Sequence, residues 1–511
     1  MSTSKFSFLS GKKTFLFVFF LVNLLLASFY IDIWCTPNTV SRAVPVLSLL
    51  ENGSFCIDKY TDYTADKSKV GDHFYSDKAP FPTIAAVPFY WLIEKAGLTK
   101  TTAEMGRKYP VYVWAPIIKE EGIYTMRADI IPILVLGSLL FGSIPFVIII
   151  FLAFKKIQNS VGTISPVALV MLAFYGSFMF VFAGTYINHI IAGLLLLLGY
   201  IFIKDNKYLL SGLCVGLAFA SEYTVAIAIP LWIFVIWMRT KSFKNIVWYV
   251  SGVMPSILFI LFYNYTITGN CFTMLNAYHN QEVFQQQLSH HYGFAFPTLE
   301  GLWGLSFSFY MGLIPYVPVL LLCGYFLIKE LLNKYPFKSL LSNYLAMFCI
   351  PFFLVISSFF TWWGGWSCGP RYLMCMAVIL VYEGVIYLAD KKINAVIFFA
   401  VTGFGLICTW LAKVTLMYMI PDKTYLGNGP TPGSDSFTKY ILPEFMQNHF
   451  NANNLLTFGL DVAPKTAAYI WILLFAASTI ILSLWYKKQF VVSNNKSKVT
   501  LSKGKTGNQL K

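Results

Sequence analysis

The chain has 511 residues, of which 57% are apolar and only 12% charged, and its mean hydropathy is +0.63. In soluble folds about a quarter of all residues are charged. This composition therefore excludes an ordinary soluble protein and indicates an integral membrane protein. The formal charge of +15 does not indicate nucleic-acid binding, because the Lys and Arg residues punctuate apolar runs instead of clustering on a polar domain. We therefore expect membrane lipid as a partner and no nucleic acid.

Apolar runs of about 17 to 25 residues, each long enough to cross a bilayer as a helix, follow one another along the chain. They predict an all-α, polytopic transmembrane helical bundle of about 12 spans, with a range of roughly 10 to 13. The predicted spans are 14–34, 130–154, 164–185, 189–204, 208–221, 223–238, 246–265, 301–328, 340–360, 372–389, 393–418 and 466–486. The transmembrane domain then covers 1–486, and the basic segment 487–511 is predicted to be a disordered cytoplasmic tail.

The fifth and sixth predicted spans come from one apolar run of about thirty residues with Glu222 in its middle. Two short helices that meet at Glu222 are the preferred interpretation. A single long tilted helix that directs Glu222 toward a polar neighbour is the alternative.

The distribution of charge sets the predicted orientation, since cytoplasmic loops carry the excess of Lys and Arg. With the N-terminus inside, the cytoplasmic segments hold about 22 basic and 3 acidic residues, and about 16 basic and 20 acidic residues remain for spans and outer loops. Both termini are thus predicted to be cytoplasmic, and the long polar loops are predicted to lie outside. The long outer loops are 35–128, 266–300 and 419–464, and long loops usually carry function.

The first outer loop contains several carboxylates, among which Asp58, Asp62 and Asp66 are spaced by four. On a helix these three would share one face; an ordinary solvated loop is the alternative. With His73 they could hold a divalent ion, but the spacing fits no ligand motif, so no metal or other cofactor is assigned. The nine Cys residues show no CxxC spacing and predict no disulfide framework, although Cys35 and Cys56 could bridge within this loop.

Further along the same loop, Asp77 and Lys78 precede Pro80 and an aromatic-rich amphipathic stretch, 81–96. Lys78 could meet an anionic phosphate while Asp77 accepts a proton or binds a cation; a local ion pair on a loop is the alternative. The stretch 81–96 could lie on the membrane surface or pack as a helix on the outer side.

Two groups near membrane depth and one turn complete the candidates. His189 opens a span and Glu222 interrupts one, and ionisable groups at this depth are functional candidates, although a buried His is often only a satisfied helix cap. The turn 361–372 reads TWWGGWSCGPRY, in which glycines permit close approach of a ligand and Trp rings suit a sugar or the membrane interface. Arg371 offers a permanent charge to a phosphate.

These motifs together resemble the GT-C class of membrane glycosyltransferases, especially the protein O-mannosyltransferase and aminoarabinose-transferase group. The likeness spans most of the chain and is carried by PN at 37–38, ENGSF at 51–55, YSDKAP at 75–80, NH at 188–189, ASEY at 220–223 and WGGWSCGPRY at 363–372. It implies an enzyme of a bacterial inner membrane, with its active face outside, that transfers a sugar, with inversion, from a polyprenyl-phosphate donor to a glycan, lipid or protein acceptor. A transporter or flippase of lipid-linked sugars is the alternative, but no internal repeat of the kind transporters show is visible.

The chain departs from these relatives at Asn38, which stands approximately where they carry an acidic residue and which cannot act as a base. We expect another carboxylate to have taken that role; a displaced alignment, or a scaffold that binds donor without transfer, are the other interpretations. The expected roles are catalytic for Asp77 and Asp58, and donor-phosphate binding for Lys78, Arg371 and Arg42. The expected substrate-binding residues are Asn38, Tyr75, His189, Glu222, Tyr223, Trp363 and Trp366.

Overall fold

The computed structural model describes residues 11–34, 36–100, 129–289, 291–325, 341–420 and 435–492. In these ranges the chain is mostly helical, with a single two-stranded hairpin. Six of the described helices are long and apolar enough to cross a membrane: Ile131–Ile157, Tyr223–Thr240, Phe243–Thr268, Arg371–Leu388, Ala395–Val414 and Pro464–Phe490. The protein is therefore an all-α integral membrane protein by length and composition of its helices, as the sequence predicts. The predicted tail 487–511 lies almost wholly outside the described residues.

In chain order the helices used below are α1 (Lys12–Ala27), α2 (Pro37–Asn52), α3 (Phe81–Lys95), α4 (Ile131–Ile157), α5 (Pro166–Tyr175), α6 (Phe178–Phe182), α7 (His189–Lys204), α8 (Tyr208–Ser221), α9 (Ala228–Thr240), α10 (Phe243–Thr268), α11 (Glu282–Ser289), α12 (Leu299–Ser306), α13 (Leu313–Tyr316), α14 (Tyr344–Ser357), α15 (Met374–Leu388), α16 (Ala395–Val414), α17 (Leu442–Met446), α18 (Leu455–Leu460) and α19 (Pro464–Tyr486). A π-helical turn at Ser138–Ser143 interrupts α4. The hairpin consists of β1 (Ser68–Val70) and β2 (His73–Tyr75), which are antiparallel with Lys69 opposite Phe74.

Two predicted spans are not continuous helices. The span 164–185 divides into α5 and α6, because Ser177 takes an extended conformation and its hydroxyl donates to the carbonyl of Phe174. The span 301–328 divides into α12 and α13 before helix resumes near residue 319. Pro318 explains the break after α13, because the residue before a proline disfavours helical backbone. Val317 accordingly has φ −140° and ψ 63°.

The long apolar run around Glu222 forms two helices, so the preferred prediction is confirmed. Helix α8 ends at Ser221, and Glu222 has extended backbone angles of φ −148° and ψ 107°. A 3₁₀ turn at Tyr223–Ile227 then leads into α9. The carboxylate thus lies at a break between helices, where backbone and side-chain partners can reach it.

Helix directions place several candidate residues at one end of the bundle. Helix α7 starts at His189, α8 ends beside Glu222, and Arg371 opens the 3₁₀ turn that precedes α15. At the other end of α7, Lys204 forms an ion pair of 2.7 Å with Glu383 of α15. The functional candidates therefore lie at the end opposite a basic end.

The segment predicted to be the first outer loop is folded against this end of the bundle. Helix α3 packs on α2 through buried residues that include Ala86 and Tyr90. Its other side exposes Phe89, Trp91 and Leu92, each about half exposed. An apolar face of this kind with large aromatic rings is typical of a helix that lies in a membrane interface.

Candidate active site

A cavity of about 680 Å³ lies at the end of the bundle where α2 and α7 begin and α8 ends. Its ionisable lining residues come from distant parts of the chain: Arg42, Asp66, Asp77, Lys78, His189, Glu222, Tyr223, His279, Glu282, Tyr292, Arg371, Tyr372 and Tyr418. Its largest apolar lining residues are Met274, Phe284, Leu288, Phe294, Ile356, Phe359, Phe360, Trp366 and Met419. One chamber therefore combines a charged region with an aromatic and aliphatic one, as an amphiphilic ligand requires.

Hydrogen bonds around this cavity join three segments: the hairpin, the segment that follows α10, and the residues just before the turn 361–372. The hydroxyl of Ser68 in β1 donates to the carbonyl of Leu275 over 2.6 Å, and the amide of Asn280 donates to the carbonyl of Lys67 over 2.9 Å. On the far side, the amide of Phe360 donates to the carbonyl of Gly293 over 2.9 Å. The segment after α10 thus connects the hairpin to the start of the turn 361–372, and it lines the cavity between them.

Lys78 is held between two carboxylates in the charged region. Its Nζ lies 2.8 Å from Asp66 and 2.7 Å from Asp77. Burial lowers the pKa of Lys78, but the two carboxylates outweigh it and hold that pKa above its ordinary value. Burial likewise raises the pKa of Asp77, and the Lys78 ammonium reverses the shift so that the carboxyl pKa lies below its usual range. Both groups are charged at neutral pH.

Arg42 is occupied by amide side chains and does not pair directly with an acid. Its Nη1 donates over 2.6 Å to the side-chain oxygen of Asn38, and its Nη2 donates to the side-chain oxygen of Asn188. The amide nitrogen of Asn188 in turn donates over 2.9 Å to Glu222. Arg42 therefore organises Asn38 and Asn188, and a charged network runs from α2 to the break after α8.

Glu222 and His189 form a buried pair within the cavity. Glu222 Oε2 lies 2.8 Å from His189 Nδ1, and the side chains are 14% and 6% exposed. The second carboxylate oxygen accepts from the hydroxyl of Thr224 over 3.1 Å. The His189 ring meets the ring of Tyr372 edge to face, with 5.8 Å between centroids. Glu222 is thus a carboxylate fixed by several donors, and it fixes the imidazole in turn.

Several buried polar atoms on the cavity wall have no hydrogen-bond partner among the described residues. They are Nε of Arg371, Nε of Arg42, the hydroxyl of Tyr223 and Oδ1 of Asn276. Arg371 is 8% exposed, and no ion pair joins it to a described carboxylate. Buried polar groups are nearly always satisfied, so this set indicates a polar ligand that meets them.

Most of the predicted site residues meet in the cavity. Those that line it are Asn38, Arg42, Asp77, Lys78, His189, Glu222, Tyr223, Trp366 and Arg371. Asp58, Tyr75 and Trp363 are not among the lining residues. Tyr75 belongs to the outer hairpin, and Trp363 packs at right angles against Trp362 with 5.6 Å between centroids.

The prediction that Asp58 is catalytic does not fit its place in the structure. Asp58 opens a 3₁₀ turn that ends at Tyr63, and its carboxylate lies 2.7 Å from His73 on the exposed surface. The hydrogen bond that the His73 ring donates to the Asp58 carboxylate raises the pKa of His73. Because the turn ends before Asp66, the three carboxylates spaced by four do not form one helical face. Asp66 alone of the three lines the cavity.

The surface near Asp58 also carries Cys56, whose Sγ lies 3.8 Å from His73 Nδ1. Ligand atoms of Cys56, Asp58 and His73 all lie within 4.8 Å of one another, the kind of grouping that can hold a metal ion. Cys56 is a free thiol, and Cys35, its suggested bridging partner, lies outside the described residues. None of the three residues lines the cavity.

The ionisable cavity residues His279, Glu282, Tyr292 and Tyr418 are not among the candidates that the sequence indicates. Two of them have described polar contacts near the site. His279 Nδ1 accepts the amide of Gln281 over 3.1 Å, and its Nε2 lies 3.9 Å from Asp77. Tyr418 donates over 2.7 Å to the buried Asp32, which the predicted first span had included. No sequence motif marks either residue. His279 reaches the site through the pairing of its loop with β1.

The fold and this cavity together define an integral membrane protein with a buried, amphiphilic binding chamber at one end of its helix bundle. Searches of family models, of curated proteins and of solved structures found no match to the chain.

Proposed function

We propose that the protein is an inverting membrane glycosyltransferase that moves a sugar from a polyprenyl-phosphate carrier to an extracytoplasmic acceptor. The observation that supports this best is Arg371, a buried guanidinium that lines the cavity and forms no ion pair with any carboxylate of the described residues. An unpaired buried charge is costly, so its presence favours an anionic ligand. A planar guanidinium binds phosphate oxygens through two parallel hydrogen bonds.

A second guanidinium of the cavity supports a phosphate at the same place. Arg42 is held by the neutral amides of Asn38 and Asn188 and so keeps its positive potential, whereas Asp66 and Asp77 balance the charge of Lys78. Arg371 supplies the vacant donors. As the glycosidic bond breaks, negative charge develops on the leaving phosphate. Fixed cations aimed at that charge lower the barrier more than they stabilise the bound donor.

The apolar part of the cavity suits the remainder of such a donor. Phe284, Phe359 and Phe360 form a continuous aromatic group, with 6.3 Å between the rings of Phe284 and Phe360 and 5.0 Å between those of Phe359 and Phe360. These residues could contact the first isoprene units of the carrier, whereas Trp366 and Tyr372 offer flat faces to a sugar ring. The cavity thus matches the phosphate, lipid and sugar parts of one molecule.

The proposed orientation places the cavity outside the cell. The Lys-rich turn between α7 and α8 lies at the opposite end of those helices from His189 and Glu222. The positive-inside rule assigns that basic end to the cytoplasm. The proposal retains about 12 spans with both termini cytoplasmic.

Labelling of native Cys56 tests this orientation. A membrane-impermeant maleimide should label Cys56 in intact cells, because its thiol is free and partly exposed. Burial raises the pKa of this thiol, so a buffer near pH 8 or above increases the reactive thiolate fraction. The signal is the difference between the unmodified protein and Cys56→Ser.

The matched control is Lys241→Cys in the Cys56→Ser background, since Lys241 is exposed at the end of α9. This position should be labelled only after the cells are permeabilised. Labelling of Lys241→Cys in intact cells together with protection of Cys56 would reverse the proposed orientation.

Transfer itself is tested with the purified protein in nanodiscs and a panel of radiolabelled polyprenyl-phosphate hexoses and pentoses. Membrane extracts from cells that lack the protein supply the acceptor. We expect a labelled product together with free polyprenyl phosphate. Movement of the lipid across a liposome membrane without product would support a flippase instead. Binding without release of carrier phosphate would support a scaffold.

A further inference from the structure

The departure at Asn38 leaves open which group of the site removes a proton from the acceptor. Asn38 is an amide whose oxygen accepts a hydrogen bond from Arg42, so it cannot serve. Among the lining residues, Asp77 and the pair of Glu222 with His189 are the strongest candidates. Their hydrogen bonds distinguish them.

Asp77 is poorly suited to be a base. Oδ2 lies 2.7 Å from the ammonium of Lys78, and Oδ1 accepts the hydroxyl of Ser41 over 3.1 Å. Both oxygens thus have donors already. A carboxylate stabilised in its charged form by an adjacent ammonium accepts a proton reluctantly. The geometry instead gives Asp77 the task of holding Lys78.

His189 has the opposite arrangement. Its Nδ1 faces Glu222 at 2.8 Å, and since a carboxylate accepts, the ring proton lies on Nδ1. Nε2 then carries a lone pair, and within the described part of the chain no hydrogen bond engages it. A carboxylate that orients an imidazole, which in turn offers a free nitrogen to the ligand chamber, is the arrangement of a general base.

Resting on the transferase proposed above, we propose that His189, oriented by Glu222, is the general base that activates the acceptor hydroxyl. The acceptor O–H proton passes to Nε2 while the acceptor oxygen forms a bond to the anomeric carbon. The bond from that carbon to the phosphate oxygen breaks, and its electron pair stays with the phosphate. Arg371 stabilises this charge, and Glu222 stabilises the imidazolium that forms.

The surroundings of His189 hold the pair in place. Asn188 and Thr224 donate to Glu222, and Asn188 is itself fixed by Arg42. The charged groups that act on His189 are Glu222, Arg371 and Arg42. Glu222 is therefore a positioning residue, and within this pair only His189 contacts the acceptor hydroxyl.

The decisive experiment measures kcat and KM of transfer across pH for His189→Gln and Glu222→Gln in nanodiscs. His189→Gln should lower kcat by about 10²- to 10⁴-fold, the range for loss of a general base, and leave binding of polyprenyl phosphate unchanged. The unmodified enzyme should lose activity toward low pH as the imidazole takes up a proton, and His189→Gln should lack this acid limb. Glu222→Gln should lower kcat by a smaller factor than His189→Gln does, and it should shift the pH at which the acid limb falls.

Imidazole rescue and two controls separate a chemical role from a structural one. Added imidazole should restore part of the activity of His189→Ala and none to Asp77→Asn. His73→Gln, an exposed His outside the cavity, should behave as the unmodified enzyme. If the unmodified protein transfers sugar but His189→Gln keeps most of kcat and the same acid limb, the base assignment fails while the transferase stands. If the unmodified protein transfers no sugar from any donor, the proposed function itself fails.

Discussion

Replacement of Arg371 by Ala should lower kcat/KM of sugar transfer by about 10²- to 10³-fold, as when one preorganised donor is removed from a developing charge. Arg371, like Arg42, forms no ion pair with a described carboxylate, but the Nη donors of Arg42 are taken up by Asn38 and Asn188. The loss of Arg371 therefore removes both ground-state binding of the phosphate and stabilisation of the leaving group. Affinity for polyprenyl phosphate alone should fall as well, which gives a second readout that needs no acceptor.

Arg371→Lys provides a graded test, because an ammonium keeps the charge but loses the planar pair of donors. We expect it to recover only part of the binding. The matched control is Arg239→Ala, an Arg at the opposite end of the bundle whose guanidinium lies over the ring of Tyr344. Arg239→Ala should retain transfer and donor binding. If Arg371→Ala bound polyprenyl phosphate as tightly as the unmodified protein, the phosphate site would lie elsewhere.

The convergence of the candidate residues could be predicted from sequence because a membrane restricts where charges can lie. Asn38, Asp77, Glu222 and Arg371 are far apart along the chain, yet each follows or precedes an apolar run on the same predicted side. Charged groups near span ends gather at one interface. Their presence in one cavity follows from that restriction more than from any single motif.

The partners of individual side chains could not be predicted in this way. Asp58 and Asp66 belong to the same four-residue spacing, but only Asp66 reaches Lys78. The difference comes from a 3₁₀ turn that ends between them and from the hairpin that follows. His279 depends likewise on pairing between its loop and β1, a contact between segments about two hundred residues apart that no local pattern encodes.

Hydropathy predicts where apolar helices lie, but it does not predict where they are interrupted. A window over 164–185 or 301–328 averages across Gly, Ser and Pro, so it indicates a continuous span. The breaks depend on individual residues, as at Ser177, whose hydroxyl and backbone amide both donate to the carbonyl of Phe174 at the end of the helix. Glu222 was the exception, because a carboxylate within an apolar run is itself a sign of interruption.

The substitution Gly212→Ala, at the close crossing of α8 and α10, should strongly destabilise the fold. A methyl group at Gly212 would lie 2.0 Å from the carbonyl oxygen of Tyr249, and one at Gly252 would lie 2.2 Å from that of Leu209. Both contacts are with backbone, which cannot rotate aside, so the helices must separate. We expect Gly212→Ala to lower the free energy of unfolding by at least about 1 to 3 kcal/mol, the range for overpacked sites.

Gly403→Ala is the matched control, because Gly403 lies inside α16 and a methyl group there meets nothing within 4 Å. It should leave the unfolding midpoint in detergent unchanged or raise it, since Ala favours helix over Gly by roughly 1 kcal/mol. If both variants shifted the midpoint equally, helix propensity and not the crossing would control stability. Because α8 ends beside Glu222, separation of α8 from α10 should also disturb the pair with His189 and lower transfer in the fraction that stays folded.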